Sequence, residues 1–255
     1  MEPAVWNDRQ AIEVFHLLFL RALAARVNPA FFVLKGGCNL RFFFKSIRYS
    51  EGIDLDVRTV AVNTLKKNVE ALLASPPFLN MLRAQRLTVE AVTSAKQTET
   101  TQRWKLQIRV EVSPQAIPTK IEFSRRQFNP DLVLEAVDAE LISQYRLYTV
   151  FTQHYTPAVA FLHKVEALAL RNQTQARDLF DLKLLLDVNA RPPAGDDLSR
   201  ILPAAVENAI GIGYDAFAGQ VLAYLEPEYQ DRYRSRKVWE TLQAEVVEAL
   251  GALRQ

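Results

Sequence analysis

The chain has 255 residues, 49% of them hydrophobic, with 31 Lys and Arg against 29 Asp and Glu for a net charge of +2. That length can bury a substantial core without cross-links. The single Cys38 and three scattered histidines exclude a disulfide scaffold and a zinc cluster, and the composition excludes collagen and a disordered tail. The near-neutral sum hides an asymmetry: residues 1–130 carry 19 basic and 11 acidic side chains (+8), and residues 131–255 carry 12 and 18 (−6). A basic front half suits a polyanionic or phosphate-bearing partner, although two mutually attracting lobes would give the same count. The opening MEPAVWNDRQ is unlike a signal peptide, and charges break every apolar run well short of about 20 residues. The expectation is a cytoplasmic protein with no membrane partner.

In chain order, residues 10–26 (QAIEVFHLLFLRALAAR) place apolar groups at helical spacing, and Asn28-Pro29 stops the helix. FFVL is a short strand candidate, followed by Lys35-Gly36-Gly37 and a helix start over Cys38–Phe44. IDLDVR at 53–58 alternates strictly and predicts a strand. A helix is predicted around 62–74, ending at Ser75-Pro76-Pro77. Strands are predicted at 86–92, 103–112 and 119–124, with Pro114 and Pro118 bracketing the last link. From about residue 137 the period becomes helical, with helices near 138–151, 156–171, 176–188, 198–209, 214–225 and 229–250 and a turn at 189–197 (NARPPAGDD). The fold class is therefore α+β: a mixed sheet of about five strands with helices, then a helical C-terminal region too helical to continue the sheet. The boundary falls near Asn129-Pro130, giving a 1–130 α+β domain and a 131–255 helical domain.

Asp54 and Asp56 are the first chemical signal. Residues i and i+2 of a strand point to one face, and two carboxylates there suit Mg²⁺, which takes hard oxygen ligands and completes its shell with substrate phosphates. A solvent-facing strand can also carry such a pair for solubility. Just upstream, Gly36 and Gly37 sit at a predicted strand-to-helix junction, where backbone N–H groups can approach a phosphate; a tight turn forced by packing is the alternative. The spacing is neither a Walker A loop nor a dinucleotide-binding fingerprint. Arg41 and Arg48 follow the turn.

Glu122, which alternates away from Ile121 and Phe123, can supply a third acid if its strand lies beside 53–58. It is preferred over Glu111, which has the same alternation. Such a triad suits two-metal in-line displacement. In the rear half, Lys164 can meet nucleotide phosphates and Asp178, three residues before Asp181 on one helix face, can orient it or a base. A helix–helix salt-bridge network explains the same pattern. Lys105, Arg109, Arg125 and Arg126 are candidate contacts to phosphate or RNA backbone, or ordinary solvated strand edges.

The ordered set LKGGCNLRFFF, RYSEGIDLDVR, KIEFS, HKVEAL and RDLFDL, spanning roughly residues 30–190, resembles the AbiEii/AbiGii toxin family of nucleotidyltransferases, within the DNA polymerase β-like superfamily. The resemblance implies a nucleotidyltransferase-like mixed-sheet core and a helical C-terminal region that contributes to the active-site cleft. It implies a nucleoside triphosphate as substrate, Mg²⁺ as cofactor, and transfer of a nucleoside monophosphate to a hydroxyl acceptor such as the 3′ end of tRNA. It further implies a toxin of a toxin–antitoxin or phage-defence system, with a cognate antitoxin encoded nearby. By position, Gly36 and Gly37 match the phosphate-binding turn, which Arg48, Ser50 and Lys164 would join in holding nucleotide. Asp54 and Asp56 match the metal-binding acids, with Glu122 as third ligand. Lys164 and Asp178 match the lysine and acid of the helical motifs and complete the catalytic set. Three positions depart from the family pattern: Gly37-Cys38 where Ser or Thr is common, Gly52 where an acid is common, and His163 where Glu is common. Two other readings are a kinase-like phosphotransferase toxin acting on a protein, and a non-catalytic RNA-binding or interaction protein on the same fold.

Overall fold

The computed structural model describes residues 6–126, 128–192 and 196–253. These form two compact units. The first comprises the residues up to Phe43 with Tyr49–His154, and the second comprises Phe44–Arg48 with Tyr155 onward.

The first unit begins with α1 (Asp8–Ala24), opened by a capping box between Asn7 and Gln10. Strand β1 (Phe32–Lys35) runs directly into α2 (Gly36–Phe43). β2 (Gly52–Val57), α3 (Val62–Leu73) and α4 (Pro76–Ala84) follow. Ser75-Pro76-Pro77, predicted to end a helix, also begins the next one. Proline at the first helical positions loses no hydrogen bond, because those N–H groups have no intrahelical acceptor.

Three long strands come next: β3 (Leu87–Gln97), β4 (Thr101–Val110) and β5 (Ala116–Ser124). Pro118 lies inside β5. It faces Gln107 of β4, while pairing with β2 starts only at Lys120. The missing N–H is therefore at a point where only one neighbour strand is present.

The sheet does not stop near Pro130. β6 (Leu132–Ala136) and β7 (Phe151–Tyr155) extend it to seven strands in the order β3-β4-β5-β2-β1-β7-β6, with the short α5 (Ala139–Gln144) between them. The predicted helix over 138–151 thus shrinks to six residues. FTQHY instead forms a strand, with Thr152, His154 and Tyr155 buried. β1 pairs antiparallel with β2 and parallel with β7, while β2 pairs parallel with β5.

The two faces of the sheet differ. On β4, Trp104, Leu106, Ile108 and Val110 are buried and join Phe15, Phe19, Phe78 and Phe123 in one core around α1. Arg103, Lys105 and Arg109 alternate to the opposite face.

The second unit is helical: α6 (Pro157–Leu170), α7 (Ala176–Asp187), α8 (Asp196–Ile210), α9 (Tyr214–Gln220), α10 (Pro227–Tyr233) and α11 (Arg236–Ala252). Phe180, Phe217, Tyr233 and Trp239 form its aromatic centre. The segment 44–48 is tied into it by the Arg48–Leu225 bridge and by the Glu226 N–H donating to the Ile47 carbonyl. Part of the predicted turn, residues 193–195, lies outside the described residues. Among the described residues, no helix is long and apolar enough to cross a membrane.

Candidate active site

The β1–α2 junction is built around Gly36, whose φ of +68° is left-handed and strained for any residue with a Cβ. A Cβ on Gly36 would come within 3.4 Å of Asp54 Oδ2, so the turn and the acid-bearing strand are immediate neighbours. α2 is anchored from beneath. Arg41 Nε donates to Glu13 Oε1 at 2.8 Å, and the Tyr145 hydroxyl donates to Glu13 Oε2 at 2.5 Å. Burial, and then the adjacent Glu13 carboxylate, hold the Tyr145 hydroxyl protonated by raising its pKa. Asn39 Oδ1 lies 2.9 Å from His154 Nδ1, and Phe43 stacks on the same imidazole. Arg41 thus fixes the helix that follows the turn.

The parallel pairing of β2 with β5 sets Asp54 opposite Glu122, as the three-acid expectation requires. Glu111 lies beyond the end of β4, exposed, and pairs with Arg86. Each of the three sheet acids meets a basic side chain. Lys35 Nζ donates to Asp56 Oδ1 at 2.5 Å. Lys120 Nζ donates to Asp54 Oδ1 at 3.1 Å and lies 3.6 Å from Glu122 Oε2. Arg103 Nε donates to Glu122 Oε2 at 2.6 Å. Asp56 is fully buried, whereas Asp54 and Glu122 keep part of their side chains in solvent.

Lys120 and Arg103 are not among the residues that the sequence motifs single out. The signal for Lys120 was present, since Lys120 and Glu122 stand two apart on one strand, as Asp54 and Asp56 do.

The basic residues of β4 share this face. Arg103 is the register partner of Glu122 and Lys105 that of Lys120. Arg109 alternates with them and pairs with Glu90. Arg103 and Lys105 therefore stand on the same sheet face as Asp54 and Glu122. Arg125 donates to the Val60 carbonyl, and its burial lowers its pKa; Arg126 is exposed.

Beneath the acids the packing is tight. His16 is buried, with Nε2 2.9 Å from Thr119 Oγ1 and Nδ1 3.6 Å from Cys38 Sγ. Thr119 and Cys38 in turn bond the carbonyls of Glu51 and Gly52. Burial drives the His16 pKa from 6.5 to about 3, against a smaller upward pull from Asp54, so the imidazole is neutral.

A divalent cation fits these residues in kind. Three hard-oxygen donors come from register-matched strands, and a glycine turn stands beside one of them. The Ser50 hydroxyl, just ahead of β2, is enclosed and has no hydrogen-bond partner among the described residues. No three His, Cys, Asp or Glu side chains converge as a ready-made metal cluster among the described residues.

The chain matches the family described as "Nucleotidyl transferase AbiEii toxin, Type IV TA system" over residues 18–251. The chain belongs to the AbiEii nucleotidyltransferase toxin family. The similarity of folds agrees. The crystal structure of JHP933 from Helicobacter pylori superposes with a TM-score of 0.59 at 16% identity, covering 98% of this chain and 96% of that one. A provisionally assigned H. pylori nucleotidyltransferase superposes with a TM-score of 0.60 at 18% identity, covering 96% and 98%. Comparison with curated proteins gave no significant match. Nucleotidyl transfer and membership of a toxin–antitoxin system therefore hold for this AbiEii chain at the level of the family.

The remaining predicted site residues belong to the second unit. Lys164 Nζ lies 2.8 Å from Asp178 Oδ1 and 2.7 Å from Asp181 Oδ2. Arg48 grips Asp181 in bidentate fashion, through Nη2 at 2.8 Å and Nε at 3.1 Å. Arg171 comes within 3.0 Å of Asp178 Oδ2 as an ion pair without hydrogen-bond alignment. Asp178 and Asp181 are wholly buried and Lys164 nearly so. Burial opposes the Asp181 charge, but Arg48 and then Lys164 outweigh it and lower its pKa. Asp178 thus holds Lys164 inside a buried salt-bridge network of α6 and α7, and Arg48, a candidate phosphate contact, is bonded within the same network. His163 stands edge-on to Tyr155.

Proposed function

We propose that this AbiEii protein moves a nucleoside monophosphate from a nucleoside triphosphate to a hydroxyl acceptor, the 3′ end of tRNA, as a cytoplasmic toxin restrained by a cognate antitoxin. The observation that carries the reading is the juxtaposition of the left-handed Gly36 turn with Asp54, itself in register with Glu122. Asp54, Asp56 and Glu122 would hold Mg²⁺, which would supply charge neutralisation on the triphosphate and acidity at the acceptor hydroxyl. The backbone N–H groups at Gly36 and Gly37 open α2 and favour an anionic phosphate there. Ser50 brings an enclosed hydroxyl with hydrogen-bonding capacity to spare. The exposed Lys105 and its neighbours favour a polyanionic acceptor by long-range attraction. In the reaction, the acceptor oxygen bonds to the α-phosphorus as the bond to the pyrophosphate oxygen breaks. Catalysis of this kind rests on positioning and electrostatics.

The test incubates the protein with each α-labelled triphosphate, Mg²⁺ and total RNA. Label is expected in RNA of tRNA size and should fall at least about a thousandfold in D54N/D56N, the scale of losing charge stabilisation at the reacting group. Label that passes from the γ-phosphate to protein supports a kinase-like toxin instead. Transfer that survives unchanged in D54N/D56N removes the sheet acids from the mechanism.

A further inference from the structure

Lys120 is placed in an unusual way. It is the register partner of Gly52, and its stem runs directly over that glycine. A Cβ on Gly52 would overlap Lys120 Cγ and lie 2.9 Å from both Lys120 Cε and the Lys120 carbonyl oxygen. Contacts that close are not accommodated without movement. The absence of a side chain at residue 52 therefore gives the lysine its path. At the end of that path the ammonium reaches Asp54 Oδ1 at 3.1 Å and stands 3.6 Å from Glu122 Oε2. These are two of the three carboxylates to which the proposed function gives the metal.

Mg²⁺ takes carboxylate oxygens at about 2.0–2.1 Å, and an ammonium ion on the same carboxylates opposes it, because the two cations repel. We propose that Lys120 is a built-in competitor for the divalent cation, holding Asp54 and Glu122 in the metal-free protein and setting how tightly metal is taken up. Gly52 is the positioning residue that makes this possible. The inference rests on the reading of Asp54 and Glu122 as metal ligands. The partial exposure of all three side chains suits exchange, since a half-solvated pair is held by little net free energy and its lysine can swing into water.

The test is Mn²⁺ binding, followed by the electron paramagnetic resonance signal of the free ion, on the full chain without nucleotide. Lys120→Met keeps the stem and removes the charge, and it should tighten binding at least about fivefold, in line with the loss of a partly screened opposing charge. Lys120→Gln should act in the same direction if the methionine variant fails to fold. Lys105→Met removes an equal charge from the neighbouring register position and should change binding less than about twofold. Equal effects from the Lys120 and Lys105 variants, or no tightening in either Lys120 variant, overturn the inference while leaving the metal reading intact. Mn²⁺ binding that is unchanged in Asp54→Asn overturns the metal reading and the inference with it.

Discussion

The two charge clusters of this chain are made from the same kinds of side chain and differ in surroundings. On the sheet, Asp54 and Glu122 are partly solvated and meet Lys120 and Arg103 on the open face of β2, β4 and β5. In the helical unit, Asp178 and Asp181 are sealed from water and clamped by Lys164, Arg48 and Arg171. A solvated pair is worth little and can trade partners, whereas a buried pair that loses one member leaves an uncompensated charge in a poor solvent. The sheet cluster is suited to exchanging a lysine for a ligand. The helical cluster is suited to holding its unit in one arrangement.

The largest effect on stability should come from the helical cluster. Asp181→Ala strips the bidentate partner from Arg48 and one of two carboxylates from Lys164, and should cost about 3–5 kcal/mol. Asp54→Asn, on the sheet, should cost no more than about 1 kcal/mol. Urea unfolding of the two variants checks the contrast directly, and comparable losses would break it.

A second effect lies under the sheet cluster, where His16 is buried as firmly as the helical acids. Its folded pKa of about 3 lies below the ordinary 6.5, so the unfolded chain takes up a proton first as pH falls. The stability linked to His16 is therefore complete above pH 6.5 and is lost progressively from there toward pH 3, by about 2 kcal/mol at pH 5. Asp181, lowered from 3.8, adds its own loss only further down, as pH falls through its folded value. Unfolding free energies from urea titrations at pH 7.5 and 5.0 should differ by that amount in the wild type and much less in His16→Gln. An equal slope in the variant would assign the acid sensitivity elsewhere.

The clusters were legible in the sequence to different degrees, for a physical reason. Asp54, Asp56, Lys120 and Glu122 obey the two-residue period of a strand, so their common face could be read locally. Parallel pairing of 53–58 with 119–124 could be posed only as a condition, because register depends on contacts far apart in the chain. Asp178 and Asp181 were visible as one helix face. Arg48, which binds Asp181, lies 133 positions from it, and no periodicity announces that pairing. β6 and β7 have only five residues each: Leu132–Ala136 falls in a stretch with no predicted element, before the helical period at about 137, and Phe151–Tyr155 falls where that period is read as continuing. Ser75-Pro76-Pro77 gave a correct boundary whose second meaning, the start of α4, only the structure supplied.

The smallest effect is also the most local. Gly36→Ala puts a Cβ on a residue with φ of +68°, which should cost about 1 kcal/mol of stability. The added methyl meets Asp54 Oδ2 at 3.4 Å, an ordinary contact, so the fold should survive. What changes is the room between the turn and the carboxylate, where the proposed triphosphate must pass. Gly36→Ala should therefore weaken binding of a non-hydrolysable nucleotide in the presence of metal far more than its stability loss explains, while the buried cluster around Asp181 is untouched. Nucleotide affinity measured beside the urea midpoint distinguishes the two. A drop in stability with unchanged nucleotide affinity would make the glycine a matter of backbone conformation alone and would move the phosphate site away from this turn.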